Sequence, residues 1–440
     1  MGTSIIGAGI SGLALAAFLD PEEELAVFEA SEHPGGWIRT ENHQSIYRNL
    51  GANGFLNNEA CMDQLIARVG LEKDRVLAAD GPRFLVKDGR AIALPHKPTK
   101  LLQSPLLGFF TKLRVLCEPF IGRSSTEQSV HDFLTQRLGQ KAGSLLAEAM
   151  VTGVWAGDPK ALSMQASFPR LTEMVEEHGS FYRAMKHQRK KNTPAPRLMS
   201  LRGGVGQLSA GIAQRLGNQL HLNHSIQRIE RDENRWLLHS PHGTHSTEQL
   251  VLATPSTPTA LLLDELLPEA SALLREIPTA PVAVVHHIWH SGTWAPPEGF
   301  GVLIPHREEK NSLGVLYSSQ IFPDLSPQGH VLFRSILGGT KNPDLCERST
   351  EELQDIALKE LQSFLPECPT PDVQHVVKCP LGIPQYTLGH QDRIHRLQEI
   401  IRELPGLHLV GNYLKGVAVK DCVRTSHDVA LDIRGTTPTR

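Results

Sequence analysis

Gly7, Gly9, Gly12 and Glu29 are the residues of this chain whose types and spacing speak most directly of chemistry. In Gly7-Ala8-Gly9-Ile10-Ser11-Gly12 the first glycine permits a tight turn and the second lets the backbone approach a pyrophosphate. The third lets a helix close against a strand, and the free N–H groups and positive end of that helix face the anion. Glu29 stands close to the ~20-residue offset at which an acidic side chain reaches a ribose hydroxyl. Pro34-Gly35-Gly36-Trp37-Ile38-Arg39-Thr40 has the makings of a loop that passes under a dinucleotide, with two glycines for close backbone approach and Arg39 for the phosphates. These residues predict a site for a flavin or nicotinamide dinucleotide. No nucleophile triad is evident, so no catalytic side chain is assigned. The six cysteines include no CxxC, which predicts core thiols rather than a disulfide framework. His286, His287 and His290 lie close together, but on a strand pattern where alternate positions face opposite ways, and no metal site is predicted from them.

The elements that must position these residues are readable around them. Thr3-Ser4-Ile5-Ile6 is an apolar strand stopped by Gly7, a Leu/Ala-rich helix runs from Leu13 to Leu19, and Leu25-Ala26-Val27-Phe28 is a second strand ending at Glu29. From about His96 to Arg197 the pattern is helical. Leu101, Leu102, Leu106, Leu107, Phe109, Phe110, Leu113, Leu116, Phe120 and Ile121 make part of that stretch dense in apolar bulk. Two readings stand open, a soluble helix core and a surface that dips into lipid with Lys100, Lys112, Arg114 and Arg123 at the headgroups. Near Ser200 the nucleotide-domain character returns with Leu201-Arg202-Gly203-Gly204, followed by Leu220 to Leu222, paired strands Ile226 to Arg231 and Arg235 to His239, and a buried strand ending at Pro255. Strands Val282 to Trp289, Leu313 to Ser318 and Val331 to Leu337 and a helix from Ser349 to Phe364 form an inserted sheet domain. The chain closes with a strand, Leu407 to Asn412, and a helix through Ile433.

At 440 residues there is room for two or three domains. A net charge of -3 provides no global cationic field, so no nucleic-acid partner is expected, and Lys186 to Lys191 reads as a solvated basic run or a contact for anionic lipid. With the first strand pattern opening at Thr3, no signal peptide or cleavable transit peptide is expected. No stretch reaches ~18 uninterrupted apolar residues, the length a membrane span needs.

Taken together, several segments resemble the oxygen-dependent protoporphyrinogen oxidases of the flavin amine-oxidase superfamily. They are Gly7 to Leu13, Gly35 to Arg39, Gly153-Val154-Trp155-Ala156-Gly157-Asp158-Pro159, Leu162-Ser163, Leu201 to Gly204, Ile383-Pro384-Gln385-Tyr386-Thr387-Leu388-Gly389-His390, and Gly411-Asn412 through Cys422. The resemblance spans essentially the whole chain. It implies an α/β, multidomain (α+β) architecture: a Rossmann-like FAD domain of p-hydroxybenzoate-hydroxylase type at 1–78, 198–268 and 403–440, a mostly β substrate domain at 79–95 and 269–402, and an inserted helical membrane-contacting domain at 96–197. The implied reaction is oxidation of protoporphyrinogen IX to protoporphyrin IX, the penultimate step of haem synthesis, with O2 reoxidising FAD and H2O2 released.

The same resemblance assigns roles residue by residue. Arg83 falls where a propionate is bound, Gly153 beside a pyrrole, and Leu303 and Ile336 at an apolar clamp. For FAD, Gly7, Gly9, Gly12, Glu29, Arg39, Gly51, Ile226 and Val419 are the expected contacts, with Ile226 at the adenine end and Val419 beneath the flavin ring. Two departures stand out: Asn49-Leu50-Gly51-Ala52-Asn53-Gly54 replaces an acid followed by Gly-Pro, and Lys420 replaces a small polar residue or Pro. Peripheral membrane contact is expected, in bacterial cytoplasm at the inner membrane or at the mitochondrial inner membrane. A homodimer and hand-off to a ferrochelatase stay open. The rival readings are coproporphyrinogen III oxidation, amine oxidation or carotenoid desaturation, and a flavin- or porphyrin-binding protein without turnover.

Overall fold

The computed structural model describes residues 2–19, 24–94, 107–122, 126–191 and 195–435. The chain divides into two compact units, Met1–Ala78 with Pro196–Ile277 and Gln391–Arg440, and Ala79–Ala195 with Pro278–His390.

The first unit is built on a five-stranded parallel sheet in the order Leu220–His221, Leu25–Phe28, Thr3–Ile6, Gln249–Leu252, Leu407–Leu409. Both faces of this sheet are covered, so buried residues point to both sides of its strands instead of alternating with exposed ones. Ile5, Val27 and Val251 pack under the helices Ile10–Phe18, Gln207–Leu216 and Val419–Ile433. Ile6, Phe28, Leu250 and Leu252 face the other way, into a core with Trp236, Leu238, Ala260, Leu274 and Leu397. The expected strand pair appears as Arg228–Asp232 and Arg235–Ser240, extended by Gly243–Thr247 into an antiparallel sheet. Helices Pro268–Arg275 and His390–Arg402 pack into this unit, carrying it past the boundaries expected at 268 and 403. Their apolar faces fill the core just described, and Arg393–Glu276 at 3.0 Å and Arg396–Glu269 at 2.8 Å tie them together.

The second unit carries a seven-stranded sheet in the order Val373–Pro384, Thr279–Trp289, Val331–Gly338, Ser312–Leu316, Gly301–Leu303, Arg83–Lys87, Arg90–Leu94. The helix Thr350–Phe364 covers one face with Leu353, Ala357 and Leu361. Ser349 caps it with a reciprocal capping box to Glu352, which satisfies two otherwise orphaned N–H groups. Ala142 and Leu145 of the helix Gln140–Val154 pack on the other face, against Leu85. The rest of the expected helical stretch forms Phe109–Leu116, Val130–Leu138, Met164–Ser167, Pro169–His178 and Phe181–Lys191. Lys100, Leu101, Leu102, Leu106 and Arg123 lie outside the described residues, as do the side chains from Gln188 to Lys191.

His286 and His287 are buried in the strand Thr279–Trp289. His287 accepts from Gln374 Nε2 at 3.1 Å through Nδ1, so its proton sits on Nε2 and is donated to Ser335 Oγ at 2.9 Å. Burial pushes its pKa down to about 3, because charging the ring would strand it away from water. His290, just past the strand end, pairs instead with Asp372 at 3.3 Å. Among the described residues no group of three or more His, Cys, Asp or Glu side chains is arranged to hold a metal ion.

Candidate dinucleotide site and substrate face

In the first unit the chain runs outward from Thr3–Ile6 through Leu25–Phe28 to Leu220–His221, then returns to place Gln249–Leu252 on the opposite side of Thr3–Ile6, so the strand order reverses there. An open parallel sheet binds ligands beyond the carboxyl end of the strand at such a switch point, and there the chain makes its glycine turn. Gly7 has φ +105°, and a Cβ on it would sit 3.0 Å from the backbone of Ala253. A Cβ on Gly12 would lie 2.0 Å from the Gly7 carbonyl oxygen. Both glycines are therefore demanded by the fold. Gly9 is different, because a Cβ there would meet no atom within 4 Å. It caps the helix Ile10–Phe18 from an extended conformation, with no side-chain cap and no acid in the helix's first turn. The positive end of the helix and an open cradle face the same place, which suits a phosphate.

Glu29 stands at the end of the neighbouring strand. Its Oε2 accepts from the Ala8 N–H at 2.8 Å, and its Oε1 accepts from Ser31 N–H and Oγ at 2.9 and 2.8 Å. The carboxylate is thus fixed against the glycine turn, with oxygen lone pairs left for a hydroxyl donor. Residues beyond Leu220–His221 run alongside: His224 N–H donates to the Glu29 carbonyl at 2.8 Å, and Ile226 is buried in the adjoining core. The loop bearing Gly35 and Gly36 closes the other side, with Gly35 N–H donating to Ala8 O at 2.7 Å and Gly36 packed over Gly9. Arg39 follows directly and pairs loosely with Glu41 at 3.5 Å. A Cβ on Gly51 would come within 2.1 Å of the Trp37 carbonyl oxygen, so this glycine lets the Asn49 loop lie against the Gly36 loop. Val419 is buried as the first residue of the helix Val419–Ile433, which packs on Ile10–Phe18 through a Ser426 Oγ to Ser11 O bond of 2.7 Å.

In the second unit, strand pairing brings three expected substrate residues onto one sheet face. Leu303 pairs with Gly314, and Gly314 with Ile336, so the three share a face across adjacent strands. Neighbouring strands lie ~4.8 Å apart, which separates Leu303 and Ile336 by roughly 10 Å, with no side chain on Gly314 between them. Gly153, on the helix Gln140–Val154, approaches Leu303: a Cβ there would be 3.3 Å from Leu303 Cδ2. Arg83 lies two residues before Leu85, the partner of Leu303, and so shares this face. Its exposed guanidinium stacks 4.4 Å over the Phe300 ring and makes no ion pair among the described residues. Neither Gly314 nor Phe300 was singled out in the sequence. Both follow from pairings between distant segments.

Comparison with known proteins decides what this arrangement belongs to. The model of the flavin containing amine oxidoreductases matches residues 10–434. The chain belongs to that family. It is 30% identical over 467 residues to the chloroplastic protoporphyrinogen oxidase of Nicotiana tabacum, covering 98% of this chain and 85% of the relative. It is equally 30% identical to the protoporphyrinogen oxidase of Homo sapiens, with 99% and 98% covered, and 25% identical to the coproporphyrinogen III oxidase of Bacillus subtilis, with 95% of each covered. A solved structure from Exiguobacterium sp. 255-15 superposes with a TM-score of 0.87 at 24% identity over 99% of both chains. A putrescine oxidase does so at 0.74 and 18% identity, again over 99% of each, which extends the fold to amine oxidases. The expected kinship is borne out: this is a flavin amine-oxidase fold, and the chain is an FAD-dependent oxidoreductase. The open cradle at Gly9 and the uncapped helix beside it suit the cofactor's pyrophosphate.

Both departures from the family pattern find a structural answer. Asn49 is buried and takes over the tethering of its loop: its Oδ1 accepts from Thr40 Oγ1 at 2.7 Å and Val205 N–H at 3.2 Å, while its Nδ2 donates to Asn53 Oδ1 at 3.1 Å. Thr40 Oγ1 in turn accepts from Gly206 N–H at 2.8 Å. Lys420 is drawn into ion pairs with Asp421 at 3.3 Å and Glu59 at 3.9 Å. The segments Gly153–Pro159 and Ile383–His390 also meet, in the second unit, where Gln385 Nε2 donates to Trp155 O at 2.8 Å and the Trp155 and Tyr386 rings lie 4.7 Å apart.

Proposed function

We propose that the chain oxidises protoporphyrinogen IX to protoporphyrin IX, consuming three O2 and releasing three H2O2. The observation that carries the substrate reading is the row of half-buried Leu303 and Ile336 with the buried Gly314 between them, a flat apolar slot with an exposed, stacked Arg83 on the same face. A tetrapyrrole with two propionates is broad and apolar with anions at one edge, and the slot and the guanidinium complement those two parts. Relatives of similar length carry the same activity in their names.

FAD, when bound, supplies the hydride acceptor for each two-electron step. The chain's own residues hold and orient. Gly9 and the start of Ile10–Phe18 would take the pyrophosphate, Glu29 the ribose and Arg39 a phosphate oxygen, with Gly7, Gly12 and Gly51 shaping the turn and its loop. Ile226 would border the adenine end, and Val419 would border the ring. Leu303, Ile336 and Gly153 would flank the macrocycle and exclude water, and Arg83 would fix its edge. Loss of hydride from a bridge carbon leaves a cation that the adjacent pyrrole nitrogens stabilise, so no side-chain base is required at the reacting carbon.

The helix Phe109–Leu116 and the turn Glu118–Phe120 are read as a lipid-contacting surface. Phe109, Phe110 and Phe120 are 76%, 83% and 86% exposed, a density that a protein core does not explain. The segment is anchored firmly: Arg114 donates to the carbonyls of Arg137 and Gln136 at 2.9 and 2.7 Å, and Glu118 forms a buried pair with Arg137 at 3.1 Å. No helix among the described residues is long and apolar enough to cross a membrane. The attachment proposed is peripheral, on a bacterial inner membrane from the cytoplasmic side, with the mitochondrial inner membrane as the alternative.

The deciding experiment mixes the FAD-loaded protein anaerobically with protoporphyrinogen IX and, separately, coproporphyrinogen III. Faster flavin bleaching by protoporphyrinogen, then porphyrin fluorescence on admitting air, is expected. Faster bleaching by coproporphyrinogen reassigns the substrate, and bleaching by neither overturns the activity.

A further inference from the structure

We propose that Lys420 balances the charge beside the redox ring of bound FAD and so sets its reduction potential. The inference rests on FAD occupying the glycine-turn site. Within the first unit, the helices Ile10–Phe18 and Val419–Ile433 run parallel, joined near one end by Ser426 Oγ to Ser11 O at 2.7 Å and near the other by Arg434 Nη1 to Phe18 O at 3.4 Å. Val419 precedes Ser426 by seven residues while Ile10 precedes Ser11 by one, so at 1.5 Å per residue the C-terminal helix begins about 9 Å ahead of its neighbour. Its first turns project beyond the N-terminal end of Ile10–Phe18, the end at which the pyrophosphate cradle lies.

Strand order tells which half of the cofactor they meet. Glu29 lies on the strand to one side of Thr3–Ile6, and the ribose goes there. The strand Leu407–Leu409, which delivers the C-terminal helix, lies on the opposite flank. The redox half of the dinucleotide is thus left to the start of Val419–Ile433, where Lys420 and Asp421 stand.

Four charges meet at that helix end. Lys420 Nζ pairs with Asp421 at 3.3 Å and Glu59 at 3.9 Å, while Arg424 pairs with Asp421 at 2.9 Å and Glu59 at 3.1 Å. Two cations and two carboxylates sum to zero. The Lys420, Asp421 and Glu59 side chains are only 15%, 18% and 21% exposed, so an imbalance would be weakly screened and felt at the ring. Adding two electrons and one proton to the ring leaves it one unit more negative. A net negative neighbour disfavours that reduced form, and a net positive one favours it.

The test is the midpoint potential of the FAD-loaded full-length protein, measured by dye equilibration, for wild type, Lys420→Gln, Lys420→Arg and Glu59→Gln. Lys420→Gln leaves the group at net −1 and is expected to lower the potential, Glu59→Gln leaves it at net +1 and is expected to raise it, and Lys420→Arg is expected to hold the wild-type value. General damage to the helix end would not move the two neutralised variants in opposite directions. Equal potentials, or shifts of one sign in both, overturn the proposal. Should Lys420→Gln lose its flavin, Glu59→Gln against wild type decides, a rise supporting the proposal and no shift overturning it. Wild-type protein that takes up no FAD would instead overturn the reading on which the proposal stands.

Discussion

Gly9 and Gly12 are three residues apart in one turn, yet replacing each by alanine should have opposite consequences. At Gly12 the new Cβ lands 2.0 Å from the Gly7 carbonyl oxygen, so backbone must move, a kind of overpacking that costs about 1–3 kcal/mol or more. At Gly9 the methyl meets nothing within 4 Å, and φ −70°, ψ 177° is a conformation alanine adopts freely. Narrowing the unfolded ensemble then stabilises the apo protein by about 0.4–1 kcal/mol. The methyl does, however, occupy the space assigned to the pyrophosphate. Losing one or two charge-assisted hydrogen bonds at roughly 1.5–3 kcal/mol each weakens FAD binding at least ~10-fold, and more than ~100-fold if both go. Apo thermal melts and titration with FAD, followed by quenching of flavin fluorescence, separate the two effects. Gly9→Ala apo protein that melts with or above wild type but binds FAD weakly is the expected result. Wild-type affinity would refute the phosphate assignment, and a melting temperature lowered as far as that of Gly12→Ala would refute the claim that the fold itself leaves Gly9 free.

Other perturbations reach the remaining parts. Asn49→Ala removes three side-chain hydrogen bonds and strands the buried Val205 N–H, at a cost of about 2–4 kcal/mol, read as a lower urea midpoint with an unchanged slope. Arg83→Ala should leave folding within about 0.5 kcal/mol and FAD in place, since the side chain is exposed, while raising the KM for protoporphyrinogen roughly 10- to 100-fold through the lost carboxylate pair. His287 has a folded-state pKa of about 3 against 6.5 when unfolded, so its contribution to stability is intact above pH 6.5 and drains away as pH falls toward 3. The slope on that limb is at most about 1.4 kcal/mol per pH unit, and His287→Gln should be flatter by up to one proton in denaturant midpoints between pH 6.5 and 4. Phe110→Asp with Phe120→Asp should abolish sedimentation with anionic vesicles without altering the melt, because neither ring is part of a core.

How much of this was legible in the sequence depends on how local each cause is. The glycine turn, its flanking strands and the helix that opens at Ser349 involve contacts a few residues apart, where backbone conformation and side-chain chemistry act without reference to the rest of the chain. Gly7, Gly9 and Gly12 already carry separate expectations in the sequence, for turn, ligand approach and helix packing, and the built geometry crowds the first and third while leaving the second open. Exposure, by contrast, was undecidable from composition: the density around Phe109 suits a core or a surface equally until the rings are seen facing out.

What the sequence hid was set by register. Gly314 gains its meaning only because the strand pairings place it between Leu303 and Ile336, and a slip of one residue would turn those side chains to the other face. Arg83 meets Phe300 because a parallel pairing joins strands that begin more than two hundred positions apart in the chain. Asn49 reads as a lost acid in a glycine-rich loop, yet its partner Val205 is 156 residues away, and the amide does there what an acid could do only in part, accepting and donating at once. Lys420 follows the same logic. Alone in the sequence it reads as an uncompensated charge, but Glu59, brought in from the other end of the chain, makes it one quarter of a neutral group. Substitutions that look disruptive in the motif are absorbed by partners that only the fold supplies, and for that reason the charge balance at this helix end has to be tested by neutralising both signs rather than one.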